Sequence, residues 1–245
     1  MGTVVSFDVS ADDASESVVR AAINAAVEWL HHVDAVFSTY RPDSDISRLN
    51  SGGRTLAECS SLVGQVLDLC SDVARETRGY FSPAFAGRVD PTGLVKGWAV
   101  ELASDLLVEA GVIDHCVNGG GDVRARGCPE PGRDWSVAIT HPLQRDGFAA
   151  VVEVRDGAVA TSGTTERGLH VLNPFTGRPA TRLASVTVVG PQLARADAYA
   201  TAALAMGDAA RDWLAGLDGY EALAIAPDGT GWSTSGFTSV VALPT

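Results

Sequence analysis

Positive charge is scarce in this chain. Only 18 of its 245 residues are basic against 30 acidic ones, which leaves a formal net charge of -12. A polyphosphate or an anionic membrane would be repelled by most of such a surface, so non-specific binding to nucleic acid or lipid is excluded, and any anionic ligand must be held locally. Lysine is nearly missing: Lys96, in the tetrapeptide VKGW, stands alone among arginines. A composition biased toward arginine explains the scarcity but not the position. No apolar run approaches the ~18 residues that a membrane-spanning helix needs. The opening MGTVVSFDVSADDA has neither a basic leader nor an apolar stretch, so the expected location is the cytoplasm, although a trimmed exported form would read the same. Cys59, Cys70, Cys116 and Cys128 form no CxxC pair and have no histidine at zinc-finger spacing; they read as reduced thiols.

Several signatures are lacking as well. Neither GxGxxG nor a P-loop with its Lys-Ser/Thr occurs. A hydrolase triad of Ser162, His170 and Asp197 has no Gly-x-Ser-x-Gly elbow to support it, and nothing in the sequence fixes the three together.

What remains is an ordinary globular composition. With 46% apolar residues, a chain of this length buries roughly three quarters of its surface, enough for a core without metal or disulfide staples. Residues 3–9 read as a strand. Val18, Val19, Ala22, Ile23, Ala26, Val27, Leu30 and Val33 form one helical stripe, and Leu62, Val63, Val66, Leu67, Cys70 and Val73 a second, closed by the stop signal Arg78-Gly79. A third helix is predicted over residues 94–110, with residues 81–91 irregular before it. Strands are predicted at 112–117, 135–140, 149–154, 158–161 and 185–189, with antiparallel hairpins at Asp156-Gly157 and at Pro227-Asp228-Gly229. The class is α+β. No repeat, heptad or low-complexity linker marks a boundary, so residues 1–245 are read as one domain.

Two segments carry the chemistry. VATSGTTERGLHVLNPFTGRP (159–179) gathers hydroxyls, glycines, Arg167 and His170 between strand-like stretches. RADAYATAALAMG (195–207) sets Asp197 and Thr201 four residues apart on a helix-like run, so both oxygens share one face. A carboxylate and a hydroxyl are the oxygen ligands that Mg²⁺ prefers, while an Asp near a helix start also serves as a cap or dipole partner. Asn118-Gly119-Gly120-Gly121-Asp122 reads two ways: as a Cβ-free loop that brings backbone amides to a ligand, or as a hairpin bend into VRARG. His170, flanked by Leu169 and Val171, reads as a strand histidine that is structural unless a site is built around it.

Taken in order, STYRPDSDISRLN (38–50), GLVKGWAVE (93–101), VNGGGDVRARG (117–127), VATSGTTERGLHVLNPFTGRPA (159–180) and ADAYATAALAMG (196–207), after an N-terminal Met1-Gly2-Thr3 and strand, resemble the motifs of the ApbE family, the FAD:protein FMN transferases. The resemblance implies a mixed α+β fold of two lobes with FAD in the cleft between them. It implies Mg²⁺-dependent cleavage of FAD, with FMN passing through a phosphoester to a Thr or Ser hydroxyl of an acceptor protein and AMP leaving. The acceptor would carry an Asp-x-x-Ser/Thr-Gly-Ala-Ser/Thr motif.

By the same resemblance, Asp197, Thr201 and a backbone carbonyl near Val95 match metal ligands, and His170 matches the histidine that takes the acceptor's proton. The flavin or its adenosine half would be touched by Met1, Tyr40, Tyr80, Phe81, Ser82, Lys96, Glu101, Asn118, Gly119, Gly120, Asp122, Ser162, Gly163 and His170. Three positions depart from the family pattern: Asn173 replaces the Asp of an Asp-Pro pair, Glu101 the Asp after KGWAV, and Ser82 the Asp after the aromatic. Two other readings stand beside transfer, a Mg²⁺-dependent FAD pyrophosphatase and a non-catalytic flavin-binding protein.

Overall fold

The computed structural model describes residues 2–10, 14–85, 87–164 and 171–240. Six α-helices are present among these residues: α1 (Glu16–Phe37), α2 (Asp45–Asn50), α3 (Ser61–Glu76), α4 (Thr92–Glu109), α5 (Leu193–Met206) and α6 (Ala210–Ala215). The strands are β1 (Val5–Val9), β2 (Ala84–Phe85), β3 (Arg88–Val89), β4 (His115–Gly119), β5 (Asp122–Arg126), β6 (Trp135–Thr140), β7 (Phe148–Val154), β8 (Ala158–Gly163), β9 (Ser185–Gly190), β10 (Glu221–Ile225) and β11 (Gly231–Ser233). No described helix is long and apolar enough to cross a membrane.

Seven strands make one sheet in the order β1-β4-β5-β8-β9-β10-β11, each neighbouring pair antiparallel. Antiparallel strands usually alternate apolar and polar residues, yet β8, β9 and β10 read as nearly continuous apolar runs. The reason is burial on both faces. Ala158, Ala160, Val186, Val188, Ala222 and Ala224 face the core built with the helices. Their neighbours Val159, Leu223 and Ile225 face a second apolar cluster with Val137, Ile139, Val152 and Val154 from the β6–β7 ribbon. Each fully buried Val, Leu or Ile stabilises the fold by about 1.5–3 kcal/mol. Small residues dominate where α5 crosses the sheet: Ala196, Ala198, Ala200, Ala202 and Ala203 are wholly buried.

The helix stripes and most strands lie where the periodicity puts them. Three expectations fail locally. Residues 81–91, read as irregular, hold the short antiparallel pair β2–β3. Residue 112 does not open a strand. Its amide donates to the Leu107 carbonyl at 2.9 Å and the Gly111 amide to Val108 at 2.9 Å, with Gly111 at φ 85. This is a Schellman closure of α4, and the buried Val112 is its apolar plug. Asp156-Gly157 is a turn, Asp156 having φ 51, but no hairpin. Strand β7 pairs with β6, and β8 pairs with β5 and β9, so the turn hands the chain from ribbon to sheet. The hairpin at Pro227-Asp228-Gly229 does form, between β10 and β11.

All four cysteines are free. Burial pushes the thiols of Cys70 and Cys116 up to about 12, which leaves them protonated and unreactive near neutral pH.

Candidate functional site

Strand β8 ends, α4 begins and the middle of α5 passes at one place, and there a cavity of about 450 Å³ opens. Its walls are the start of α4 (Thr92, Gly93, Lys96), Asp197 and Thr201 of α5, Thr161 to Gly163 of β8, the Gly120-Gly121 turn, the 80–82 segment and β6 with His141 and Pro142 beyond it. The volume falls within the ~300–1,000 Å³ span of small-molecule sites.

Asp197 and Thr201 do share a face, one turn apart, on the cavity wall. Asp197 is 4% exposed, and the Gly97 amide donates to its Oδ2 at 3.1 Å. Helices α4 and α5 touch at that point because residue 97 has no side chain: a Cβ there would stand 2.7 Å from the Leu193 carbonyl oxygen and 2.9 Å from the Asp197 Cβ. The Thr201 hydroxyl lies 3.0 Å from that of Ser162, which ties α5 to the end of β8.

Lys96 accounts for its position. Its ammonium pairs with Asp122 and lies 3.9 Å from Asp197 Oδ1. Asp122, 1% exposed, also accepts from the Thr161 amide at 3.1 Å. The lone lysine thus sits between two carboxylates on different elements and offsets both. Asp90 also lines the cavity, so with Asp197 its described residues present two carboxylates against one ammonium.

The glycine run is the hairpin bend. Gly119 pairs with Asp122, and Gly120 and Gly121 turn the chain at φ 64 and φ 94, the left-handed pair of a two-residue hairpin loop. Their amides are engaged within the protein: Gly120 donates to the Val4 carbonyl at 3.1 Å and Gly121 to Asn118 Oδ1 at 2.8 Å. The turn therefore offers the cavity a wall without Cβ atoms, not a cradle of free amides.

The cavity brings together Tyr80, Phe81, Ser82, Lys96, Gly120, Ser162, Gly163, Asp197 and Thr201 from the sequence-predicted set. It does not gather them all. Asp122 stands behind Lys96. Tyr40 stands on the surface, 96% exposed. Val95 is buried within α4, its carbonyl part of the helix, and Asn118 and Gly119 lie in β4 with Gly119 packed against Val100. Met1, His170 and Arg167 lie outside the described residues.

Glu101 has a different place. Its Oε2 accepts from the Ala194 amide at 3.1 Å, at the N-terminus of α5, whose own N-cap Gln192 makes no side-chain cap bond. Its Oε1 lies 3.9 Å from Nε of Arg124, a guanidinium 3% exposed that also donates to the Pro191 carbonyl at 3.0 Å. Two rungs of opposite polarity therefore join α4 to β5, Lys96 with Asp122 and Glu101 with Arg124. The far end of α5 is held by Asn173, which donates from Nδ2 to the Ala205 carbonyl at 3.1 Å and accepts from the amides of Phe175 and Thr176. An aspartate could not make the first of these bonds.

Sequence reasoning missed Asp90, Thr92, Val137, Ile139, Thr140 and His141 on the cavity wall. The ribbon residues carry no signal beyond strand alternation, and only the fold sets them against α4 and α5. Asp90 could have been found as a cap: its Oδ1 accepts from the Thr92 amide at 3.1 Å and hydroxyl at 2.6 Å. An ion in the cavity could use the Asp197 carboxylate and the Thr201 hydroxyl, and no cluster of three His, Cys, Asp or Glu suited to a metal occurs among the described residues. One carboxylate plus neutral oxygens, with room for ligand phosphates, is a donor set that fits Mg²⁺.

Comparison with known proteins bears on the same cavity. The FAD:protein FMN transferase of Rhodobacter capsulatus is 31% identical over 233 residues, which cover 90% of this chain and 41% of that protein. The enzyme of the same name from Vibrio cholerae is 34% identical over 130 residues, 49% of this chain and 39% of its own length. The chain thus spans about two fifths of the curated relatives it matches. Among solved structures, the flavin transferase ApbE from Vibrio cholerae superposes with a TM-score of 0.78 at 25% identity, covering 96% of this chain and 94% of that one. The ApbE protein of Thermotoga maritima, 21% identical, shares the fold at a TM-score of 0.82 over 95% of this chain and 97% of its own. The family model described as ApbE matches residues 1–90 and 86–224, a span that includes Lys96, the glycine turn, Asp197 and Thr201. With its motifs in order and its fold the same, this chain belongs to the ApbE family.

Proposed function

We propose that this protein transfers FMN from FAD to a Thr or Ser hydroxyl of an acceptor flavoprotein, forming a phosphoester and releasing AMP. The observation that carries the reading is the juxtaposition of Asp197 and Thr201 on a cavity wall where carboxylates outnumber the single ammonium. An anionic pyrophosphate entering such a cavity needs a cation beside it, and the two α5 oxygens are the residues that would hold one. When bound, Mg²⁺ would neutralise phosphate charge and orient the pyrophosphate for in-line attack.

The remaining work falls to the chain. Lys96 keeps Asp122 and Asp197 in place and offsets their charge. The start of α4 turns the positive end of its dipole toward the cavity, which favours phosphate oxygens there. The Gly120-Gly121 turn lets a ligand approach the backbone closely. Tyr80 and Phe81 offer aromatic surface to a planar ring. The acceptor oxygen bonds to the phosphorus of the FMN half as the bond to the AMP oxygen breaks, and His170 is the group proposed to take the hydroxyl proton. A segment of the type Asp-x-x-Ser/Thr-Gly-Ala-Ser/Thr is the proposed acceptor.

The test is mass spectrometry of a peptide with that motif after incubation with the protein, FAD and Mg²⁺. The expected result is a gain equal to one FMN less water, with AMP released in equal amount. AMP and FMN released without acceptor would replace transfer by hydrolysis, and FAD binding without products would leave only a flavin-binding protein.

A further inference from the structure

His141 is the one histidine among the described residues on the cavity wall. It follows β6 directly and is 8% exposed. Two bonds fix it. Its backbone amide donates to the Gly147 carbonyl at 2.8 Å, closing the 141–147 loop. The Leu143 amide donates to its Nδ1 at 3.1 Å. Because an amide can only donate, Nδ1 must be the bare nitrogen, and the neutral ring carries its proton on Nε2. Nε2 has no hydrogen-bond partner among the described residues, and the residue lines the cavity.

From this geometry we infer that His141 is a hydrogen-bond donor to the ligand through Nε2, a binding residue on the ribbon wall of the cavity. In this tautomer Nε2 carries a hydrogen and cannot accept one, so His141 is a reader of an acceptor atom and not a second base. A donor on a cavity wall that meets its partner only in the complex favours ligands that carry the acceptor. Val137 and Ile139, on the same strand and both lining the cavity, supply apolar surface beside it. The acceptor is an oxygen or ring nitrogen of FAD, on either the flavin or the adenosine half. The inference rests on the flavin reading above.

Binding constants for FAD, FMN and AMP, measured by calorimetry with Mg²⁺ on the wild type, His141→Phe and His141→Gln, test it. The phenylalanine variant, which fills the space without a donor, should lose about tenfold in FAD affinity, one hydrogen bond's worth. The same loss should appear with FMN or with AMP but not both, which identifies the half that is read. Glutamine, whose amide can donate near the Nε2 position, should keep most of the affinity, and both variants should melt near the wild type. Wild-type FAD affinity in His141→Phe would overturn the inference and leave the flavin reading standing. Equal losses in both variants would also overturn it, since shape and not the donor would then matter. A wild type that binds no FAD would remove the flavin reading, and this inference with it.

Discussion

The Gly97 amide donates to the Asp197 carboxylate at 3.1 Å across two helices that touch only because residue 97 lacks a side chain. The proposed cation ligand is thus oriented by a backbone donor on α4, and its place depends on the spacing of two helices. A conservative change at the crossing should therefore reach the site without touching the cavity.

Gly97→Ala tests this directly. Alanine favours a helix over glycine by about 1 kcal/mol, but a Cβ at 2.7 Å from a backbone oxygen forces α4 and α5 apart. Overpacking of this kind costs about 1–3 kcal/mol. The expected outcome is a melting temperature lower by a few degrees, with a higher Mg²⁺ requirement for AMP release. An unchanged Mg²⁺ requirement would show that the spacing does not govern the site.

Asp197→Ala should abolish Mg²⁺-dependent turnover with the fold intact by circular dichroism. The residue lines the cavity, and alanine keeps its Cβ at the helix crossing while removing the carboxylate. Thr201→Val, nearly isosteric but without the hydroxyl, should raise the Mg²⁺ concentration at half-maximal rate. Unchanged behaviour in a Mg²⁺ titration of either variant would remove that residue from the cation site.

Glu101→Gln should destabilise the chain, because it removes the carboxylate paired with the buried Arg124 guanidinium. Breaking a buried pair costs about 3–5 kcal/mol. The low end is expected, since Glu101 is 16% exposed and the pair is 3.9 Å apart. Glu101→Asp keeps the charge but shortens the reach to the Ala194 amide, and should lose less. Urea unfolding of the two variants ranks the effects. If the aspartate variant proves the less stable, the amide bond and not the charge is the larger contribution.

His115 should make stability fall as the pH is lowered. It is fully buried, with Nδ1–H donating to the Val112 carbonyl at 2.9 Å and Nε2 accepting from the Ser104 hydroxyl at 2.7 Å. Burial, helped by the Arg126 and Arg124 charges, holds its pKa below the ordinary histidine value. The unfolded chain therefore takes up a proton near pH 6.5 that the folded chain refuses. Stability should be flat above about pH 7 and fall through the window below about 6.5, by at most ~1.4 kcal/mol per pH unit. Urea midpoints at pH 7.5 and 5.5 check this, and His115→Gln should flatten the slope.

The sequence by itself determined the long helices and not the short α2 and α6, because α1 and α3 bury one stripe each and the 3.6-residue period of Val63, Val66, Cys70 and Val73 needs no partner to be recognised. It also determined most strands, the α+β class, and the pairing of Asp197 with Thr201, since four residues on a helix fix a shared face. Six motifs in order were enough to indicate the family. Whatever depends on elements distant in the chain was decided by tertiary structure. Residue 156 turns between sheets and not within a hairpin because β8 finds β5 and β9, a choice made by burial on both faces. The glycine amides are engaged because Val4 and Asn118 reach them first. Glu101 caps a helix that begins 93 residues later, and His141 meets the cavity because the ribbon packs across the sheet. Local spacing encodes what one element needs; which side chains share a cavity is set by packing, where burial of apolar faces brings remote residues together.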